Sequence, residues 1–459
     1  MNGGAVLARH ALLPDGWARD VAIAWNGDGV ITAVGATAAD AGAAAAAAVG
    51  LVIPGMVNLH SHAFQRAMAG QAETAGEGED SFWTWRELMY RFAGRITPAQ
   101  LEAVAAQLFV DCLRHGYTSV CEFHYLHRAA DGAAYARPAE MAERVAQAAR
   151  ETGIGLTMLP VLYSHGGFGA QPLGPRQRRF QSDVGAVLGM VEALDRLRDG
   201  QFEVGAAPHS LRAASMAQIG ELAAALPPGR PIHIHIAEQQ LEVDACLAHS
   251  GQRPLAWLLE RQGLDARWCL VHATHLDEAE LAALAASGAV AGLCPSTEAN
   301  LGDGLFALAP YLAAGGRFGI GSDSHVGHSP VEELRWLEYG QRLRQQRRNI
   351  AVSPVQRHVG DLLWQAALAG GAQASGRPVG ALAVGRRADF LVLDDEHPNL
   401  AGAPADEVLG RLLFAGNDNL VRDVLVGGRR VIQDGRHAGQ AAIAARYRAA
   451  LAQLRERSP

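Results

Sequence analysis

Short apolar runs recur through the middle of this chain, and between them lie longer stretches whose apolar positions follow helical spacing. The runs are LVIPGMVNLH, YTSVCEFH, GLTMLPVLY, FEVGAAPH, PIHIHIAE, WCLVHAT, AVAGLCPS and RFGIGSDS, and the intervening segments include PAQLEAVAAQLFVDCLRHG and EAELAALAASG. Eight strands alternating with helices over roughly 300 residues is the count of a (β/α)8 TIM barrel. The flanks read differently. AVLARHALL, DVAIAW and VITAVGA near the start are split by Gly and Asp turns, and a β-rich region returns in ADFLVLD and LLFAGNDNLVRDVLVGGRRVIQDGRH. The predicted fold class is therefore α/β: a TIM barrel over residues 54–380, with a small β-sandwich domain formed from both termini. That domain takes residues 1–53 and 381–459, the second part ending in a helix. The Ala-rich patch AADAGAAAAAAVG between flank and barrel reads as a linker or a surface helix.

Composition narrows the function classes. No apolar run reaches membrane-spanning length, and the N-terminus lacks the basic, apolar and small-residue order of a signal peptide, so the expected location is cytoplasmic with no membrane partner. A net charge of −7 without a basic block gives no reason to expect nucleic acid; the basic run from Arg342 to Ile350 reads as a solvated helix face. Cys112, Cys121, Cys246, Cys269 and Cys294 are odd in number and lack CxxC spacing, against a disulfide framework or a zinc knuckle. All forty Lys+Arg residues are arginine. Schiff-base chemistry, a Walker-type lysine and a carbamylated lysine bridging two metals are thereby excluded.

The chemistry gathers at the C-terminal ends of the runs, where barrels of this kind carry their sites. His60 and His62 end the first, His124 the second, His209 the fourth, His233, His235 and Glu238 follow in the fifth, His272 and His275 in the sixth, and Asp323 in the eighth. On one strand His60 and His62 face the same way; taken alone, the pair suits two ligands of one metal or ordinary polar residues where a strand gives way to a loop. Eight of the eighteen histidines fall in these strand-end stretches, which tips the balance toward metal. His60, His62, His235 and Asp323 form a coherent mononuclear set for one divalent ion, with zinc suited to imidazole and carboxylate and iron an alternative. His233 and His124 read as buried structural histidines, and so does His275. Cys269 and Cys294 read as packing residues.

Together HSH, HIAE, VHATH, CPSTEANLGDG and GSDS resemble the amidohydrolase superfamily in its single-metal deaminase branch, and the missing lysine agrees with that branch. More narrowly, NLHSHAFQRAMAG, DSFWTWRELMY, EFHYLH, HSLRA, IHIHIAEQQ, WCLVHATH and GIGSDSHV are similar to the N-formimino-L-glutamate deiminases of histidine degradation, along most of the chain. The resemblance implies hydrolysis of a formimino group, releasing N-formyl-glutamate and ammonia. Asp323 would bind metal and take a proton from the attacking water. Glu238 would protonate the departing nitrogen, its other reading being a solvated helix start. His272 would bind the water or the developing charge. Arg86 and Arg212 suit a small dicarboxylate through bidentate pairing, and otherwise read as surface salt bridges. His209, Tyr125 and Gln65 are further substrate contacts by the same resemblance, Tyr125 being equally readable as an aromatic core residue. Phe82, Trp83 and Trp85 shape a lid or pack into the helix they begin. Relatives suggest a homodimer. Two other readings stand beside this one: a ring deaminase acting on a nucleobase with the same metal set, and a metal-free barrel serving as an assembly scaffold.

Overall fold

The computed structural model describes residues 3–35, 47–75, 80 and 82–456; the side chain of Trp83 and most of the Ala-rich patch lie outside the described residues. Four strands come first: β1 (Gly4–Leu13), β2 (Gly16–Trp25), β3 (Ile31–Gly35) and β4 (Ala47–Pro54). The barrel strands follow: β5 (Met56–Ser61), β6 (Tyr117–His124), β7 (Gly155–Leu162), β8 (Phe202–Val204), β9 (Ala207–Pro208), β10 (Ile232–Ile236), β11 (Trp268–His272), β12 (Val290–Leu293) and β13 (Arg317–Ile320). The chain closes with β14 (Phe390–Leu393), β15 (Val421–Val426), β16 (Arg429–Gln433), β17 (Arg436–His437) and the C-terminal helix Gln440–Glu456.

β5 to β8 pair in parallel, as do β10 to β13. Isolated parallel bridges close both gaps: Ala206 to Ile232 and Ser210 to His235 on one side, Ser61 to Asp323 on the other. The circle is thus complete, and its two seams lie beside His60, His62, His235 and Asp323. β4 and β14 join the two chain ends in one eight-stranded path, ordered β17-β16-β15-β14-β4-β1-β2-β3. Strand alternation gives this sheet two uses. Val6, Ile23, Val52, Phe390 and Val392 enclose a core of its own, while Leu51, Ile53, Leu391 and Leu393 join the barrel's core.

Local chemistry explains several boundaries. The expected single strand LVIPGMVNLH is two strands of two sheets, because the chain swings between them at Gly55. A Cβ there would stand 2.1 Å from the Thr118 methyl. FEVGAAPH likewise divides into β8 and β9 around Gly205, whose added Cβ would lie 2.3 Å from Pro231 O. LLF of the C-terminal flank ends the helix Val408–Phe414 and is not a strand. The helix Pro98–His115 follows its sequence signals: Thr97 and Gln100 form a reciprocal capping box, and Gly116 ends it in the left-handed region. Among the described residues no helix is long and apolar enough to cross a membrane.

The helix Val359–Ser375 lies against β13 and β5, and Gly370 lets it approach: an added Cβ would sit 1.9 Å from the backbone oxygen of Phe318. Backbone cannot step aside as a side chain can. Gly370→Ala is expected to destabilise the fold by about 1–3 kcal/mol, the usual cost of overpacking, despite alanine's better helix propensity. A denaturant titration against wild type measures it, and an unchanged midpoint would show that the contact yields.

Candidate metal centre and active-site cleft

Three imidazoles and a carboxylate converge where β5, β10 and the turn after β13 meet. His60 Nε2 lies 3.1 Å from His62 Nε2 and 3.0 Å from His235 Nε2. Asp323 Oδ1 lies 3.2 Å from His62 Nε2 and 3.5 Å from His60 Nε2. Outer contacts set the tautomers. His62 Nδ1 stands 2.9 Å from Phe123 O and His235 Nδ1 stands 2.9 Å from His209 O, so both Nδ1 atoms donate and both Nε2 atoms keep bare lone pairs. Burial holds His60 neutral, its pKa pushed down to about 3, and holds His235 well below the usual imidazole range. One proton on His60 Nε2 serves only one of its two neighbours. Lone pairs facing one another beside an ionised carboxylate are what a divalent cation complements, and imidazole with carboxylate suits zinc or another divalent metal such as iron. The residues present therefore fit a metal.

The turn carrying these ligands is tied from behind. Ser61 Oγ donates to Glu122 Oε2 at 2.5 Å, Ala63 N donates to Glu122 Oε1 at 2.8 Å, and His325 Nε2 lies 3.0 Å from Ser61 Oγ. Backbone bonds from Asp323 N to His60 O and from His62 N to Asp323 O join the two ligand-bearing segments. Among the described residues, ten non-glycine positions have positive φ, and five of them are here: Ala237, His272, Ala273, Asp323 and His325, at +45° to +69°. Such backbone costs about 1–3 kcal/mol per residue and persists where surrounding bonds over-determine it.

Beside these four residues His272 stands among three acidic side chains. His272 Nε2 is 3.6 Å from Glu238 Oε1 and 3.8 Å from Asp323 Oδ2, while its Nδ1 is 3.3 Å from Glu298 Oε1. Burial alone would lower the His272 pKa, but Glu238, the Glu298 hydrogen bond and Asp323 outweigh it and lift it to about 10. Burial raises Glu238 to about 7, against the pull of His272. For Asp323, the neighbouring imidazoles of His60 and His62 outweigh the effect of burial and hold the carboxyl well below its ordinary range. Two carboxyls that both face His272 Nε2 are thus driven in opposite directions, the separation that lets one accept and the other deliver a proton.

All residues named from the sequence as site members, except His60 beneath them, line one cleft: His62, Gln65, Arg86, Tyr125, His209, Arg212, His235, Glu238, His272 and Asp323. Glu238 is 7% exposed and so is no solvated helix start. Arg86 arrives on the helix Phe82–Ala93, whose Phe82, Trp85, Arg86, Met89 and Tyr90 give the cleft a wall at helical spacing. Gln65 Nε2 donates to Tyr125 Oη at 2.8 Å. The histidines set aside as structural are so placed: His124 Nε2 is 3.0 Å from Leu126 O, His233 Nε2 is 2.8 Å from Ala374 O, and His275 Nε2 is 2.8 Å from Asp303 O. All five cysteines are buried and unpaired. Sequence reasoning missed Glu298, Glu122, Tyr163 and Phe180. Glu298 lies in the quoted CPSTEANLGDG stretch, Glu122 in EFHYLH and Tyr163 in GLTMLPVLY, but no local pattern marks them, and like Phe180 they meet the site only through the fold.

The chain belongs to the amidohydrolase family, whose profile matches residues 51–431. The chain is accordingly a hydrolase of a metal-dependent class. It is 58% identical over 438 residues to the formimidoylglutamate deiminase of Pseudomonas aeruginosa, an alignment covering 95% of this chain and 96% of that one. The 5-methylthioadenosine/S-adenosylhomocysteine deaminase of Natronomonas pharaonis is 29% identical over 412 residues, 88% of this chain and 86% of its own. Among solved structures, an amidohydrolase from Brucella melitensis matches with a TM-score of 0.92 at 46% identity, covering 98% of this chain and 99% of that one. An adenosine deaminase from Xanthomonas campestris with bound zinc matches at 0.80 and 23% identity over 98% of both chains, a likeness of fold alone.

Proposed function

We propose that this chain hydrolyses the terminal C–N bond of N-formimino-L-glutamate, giving N-formyl-L-glutamate and ammonia. The observation that carries the reading is that one cleft is lined by three of the four candidate ligands, His62, His235 and Asp323, by Glu238 and His272, and by Arg86 and Arg212, cations suited to a dicarboxylate. A single divalent ion held by His60, His62, His235 and Asp323, zinc by its donor set, supplies the Lewis acidity that makes water nucleophilic near neutral pH. Asp323, kept ionised, accepts a proton as water adds to the formimino carbon. Protonated His272 hydrogen-bonds the oxygen as charge develops on it. The formimino group enters protonated; Glu238 delivers its proton to the amino nitrogen of the adduct, the C–N bond breaks, and the adduct's hydroxyl proton passes back to the Glu238 carboxylate as the carbonyl forms, ammonia leaving with the proton held on Asp323. Arg86, Arg212, His209 and Tyr125 hold the far end, and Gln65 the formimino end. A cytoplasmic homodimer serving histidine degradation completes the proposal.

The test is an ammonia assay on N-formimino-L-glutamate with the metal content measured in the same preparation. The expected result is one ammonia per substrate, loss of activity on chelation and recovery with zinc. Metal-loaded protein that ignores this substrate and deaminates a nucleobase or nucleoside would favour the ring-deaminase reading, and metal-free, inactive protein the scaffold reading. Arg212→Leu separates the first two as well. Loss of a charge-assisted carboxylate contact is expected to raise KM about 10²–10³-fold with a much smaller change in kcat. A ring substrate without carboxylates would be nearly indifferent to the change.

A further inference from the structure

Tyr163 follows β7, lines the cleft and is 5% exposed. Its hydroxyl is part of a polarised relay. Gly174 N donates to Gln177 Oε1 at 2.8 Å, and a backbone N–H needs an acceptor, so the amide oxygen and not the NH2 faces it and the Gln177 amide has one orientation. Its Nε2 therefore donates to Tyr163 Oη, 3.0 Å away. Because that oxygen already receives a hydrogen bond, the hydroxyl's own proton must go elsewhere. Among the described residues Tyr163 Oη has no second hydrogen-bond partner. The ring is fixed against His209 and Phe180, at centroid distances of 4.6 and 5.6 Å, both of them cleft residues. Arg86 lies close enough to Arg212 and Tyr163 for both to act on its guanidinium.

We propose that Tyr163 is a substrate-binding residue, its hydroxyl donating to the carboxylate that Arg86 and Arg212 receive, with Gln177 as the positioning residue that aims the proton. This rests on the dicarboxylate reading above. The relay sets the direction of one hydrogen bond, so reversing the relay should matter as much as deleting the hydroxyl.

The experiment is a double-mutant cycle on the zinc-loaded enzyme with N-formimino-L-glutamate, supplemented by calorimetric binding of the product, N-formyl-L-glutamate. Tyr163→Phe is expected to raise KM and weaken product binding about ten- to a hundred-fold, the size of one hydrogen bond to a charged group, with kcat changed less than threefold. Gln177→Glu keeps the acceptor for Gly174 N and turns the other arm into an acceptor as well. It then draws the Tyr163 proton out of the cleft and should reproduce the Tyr163→Phe effect with tyrosine still present. Added to Tyr163→Phe, Gln177→Glu should cost no more than a further twofold, since the bond it redirects is already gone. Additive losses in the double variant would mean that the new carboxylate merely repels the substrate, and would overturn the relay. A KM within twofold of wild type for Tyr163→Phe would overturn the binding role. Wild-type enzyme without activity on this substrate would instead defeat the dicarboxylate reading itself.

Discussion

Asp323→Asn is expected to lower kcat by about 10⁴-fold, the upper end of the effect of losing a general base. In the proposed reaction the side chain has two duties. Its Oδ1 stands among the Nε2 atoms of His60 and His62, and its Oδ2 faces His272. Asparagine keeps the shape and one acceptor oxygen, yet it carries no charge to balance a cation and no basic site for a proton. Both losses fall on the same step. Zinc content measured beside the kinetics divides them. Variant protein that still binds one equivalent of zinc isolates the proton-accepting role, whereas protein that no longer holds zinc adds the ligand role. Activity within tenfold of wild type would remove Asp323 from the chemistry.

Glu238→Gln is expected to cost about 10²–10⁴-fold in kcat while zinc content and KM stay near wild type. Glu238 lies outside the ligand cluster, so the metal should be indifferent, and the amide is isosteric in a site that is nearly closed to solvent. What disappears is a carboxyl that burial raises to about 7, the range in which a side chain can both hold and release a proton at neutral pH. Removing the negative charge also weakens the field that keeps His272 protonated, so some of the loss passes through His272. A double variant with His272→Asn should therefore lose much less than the product of the two single effects. Fully multiplicative losses would mean that the pair acts separately.

The barrel was legible because its strands are buried runs bounded by polar ends, and because His60, His62, His235 and Asp323 occupy such ends. Strand alternation and barrel convergence then bring residues 175 and more positions apart into contact. The legible part stops where a role depends on a neighbour from another strand. Nothing around Glu122 announces that its carboxylate bridges Ser61 and Ala63, since the sequence shows only a polar residue within YTSVCEFH. Tyr163 and Gln177 are similarly silent, their meaning residing in a loop that folds Gly174 onto the Gln177 amide. Strand breaks at Gly55 and Gly205 were invisible for a related reason: the glycine is required by Thr118 and by Pro231, and neither is near in sequence. The eight-stranded end sheet follows the same logic in reverse. Its two halves each read as β, while the pairing of β4 with β14 needed the whole chain.

The central claim is one divalent cation among His60, His62, His235 and Asp323, and anomalous diffraction at the zinc edge from crystals of zinc-supplemented protein tests it most directly. The account predicts a single strong peak at about 2.0–2.2 Å from the Nε2 atoms of the three histidines and from an Asp323 oxygen. An empty cluster, or a peak held instead by His272, Cys294 and Glu298, would contradict it.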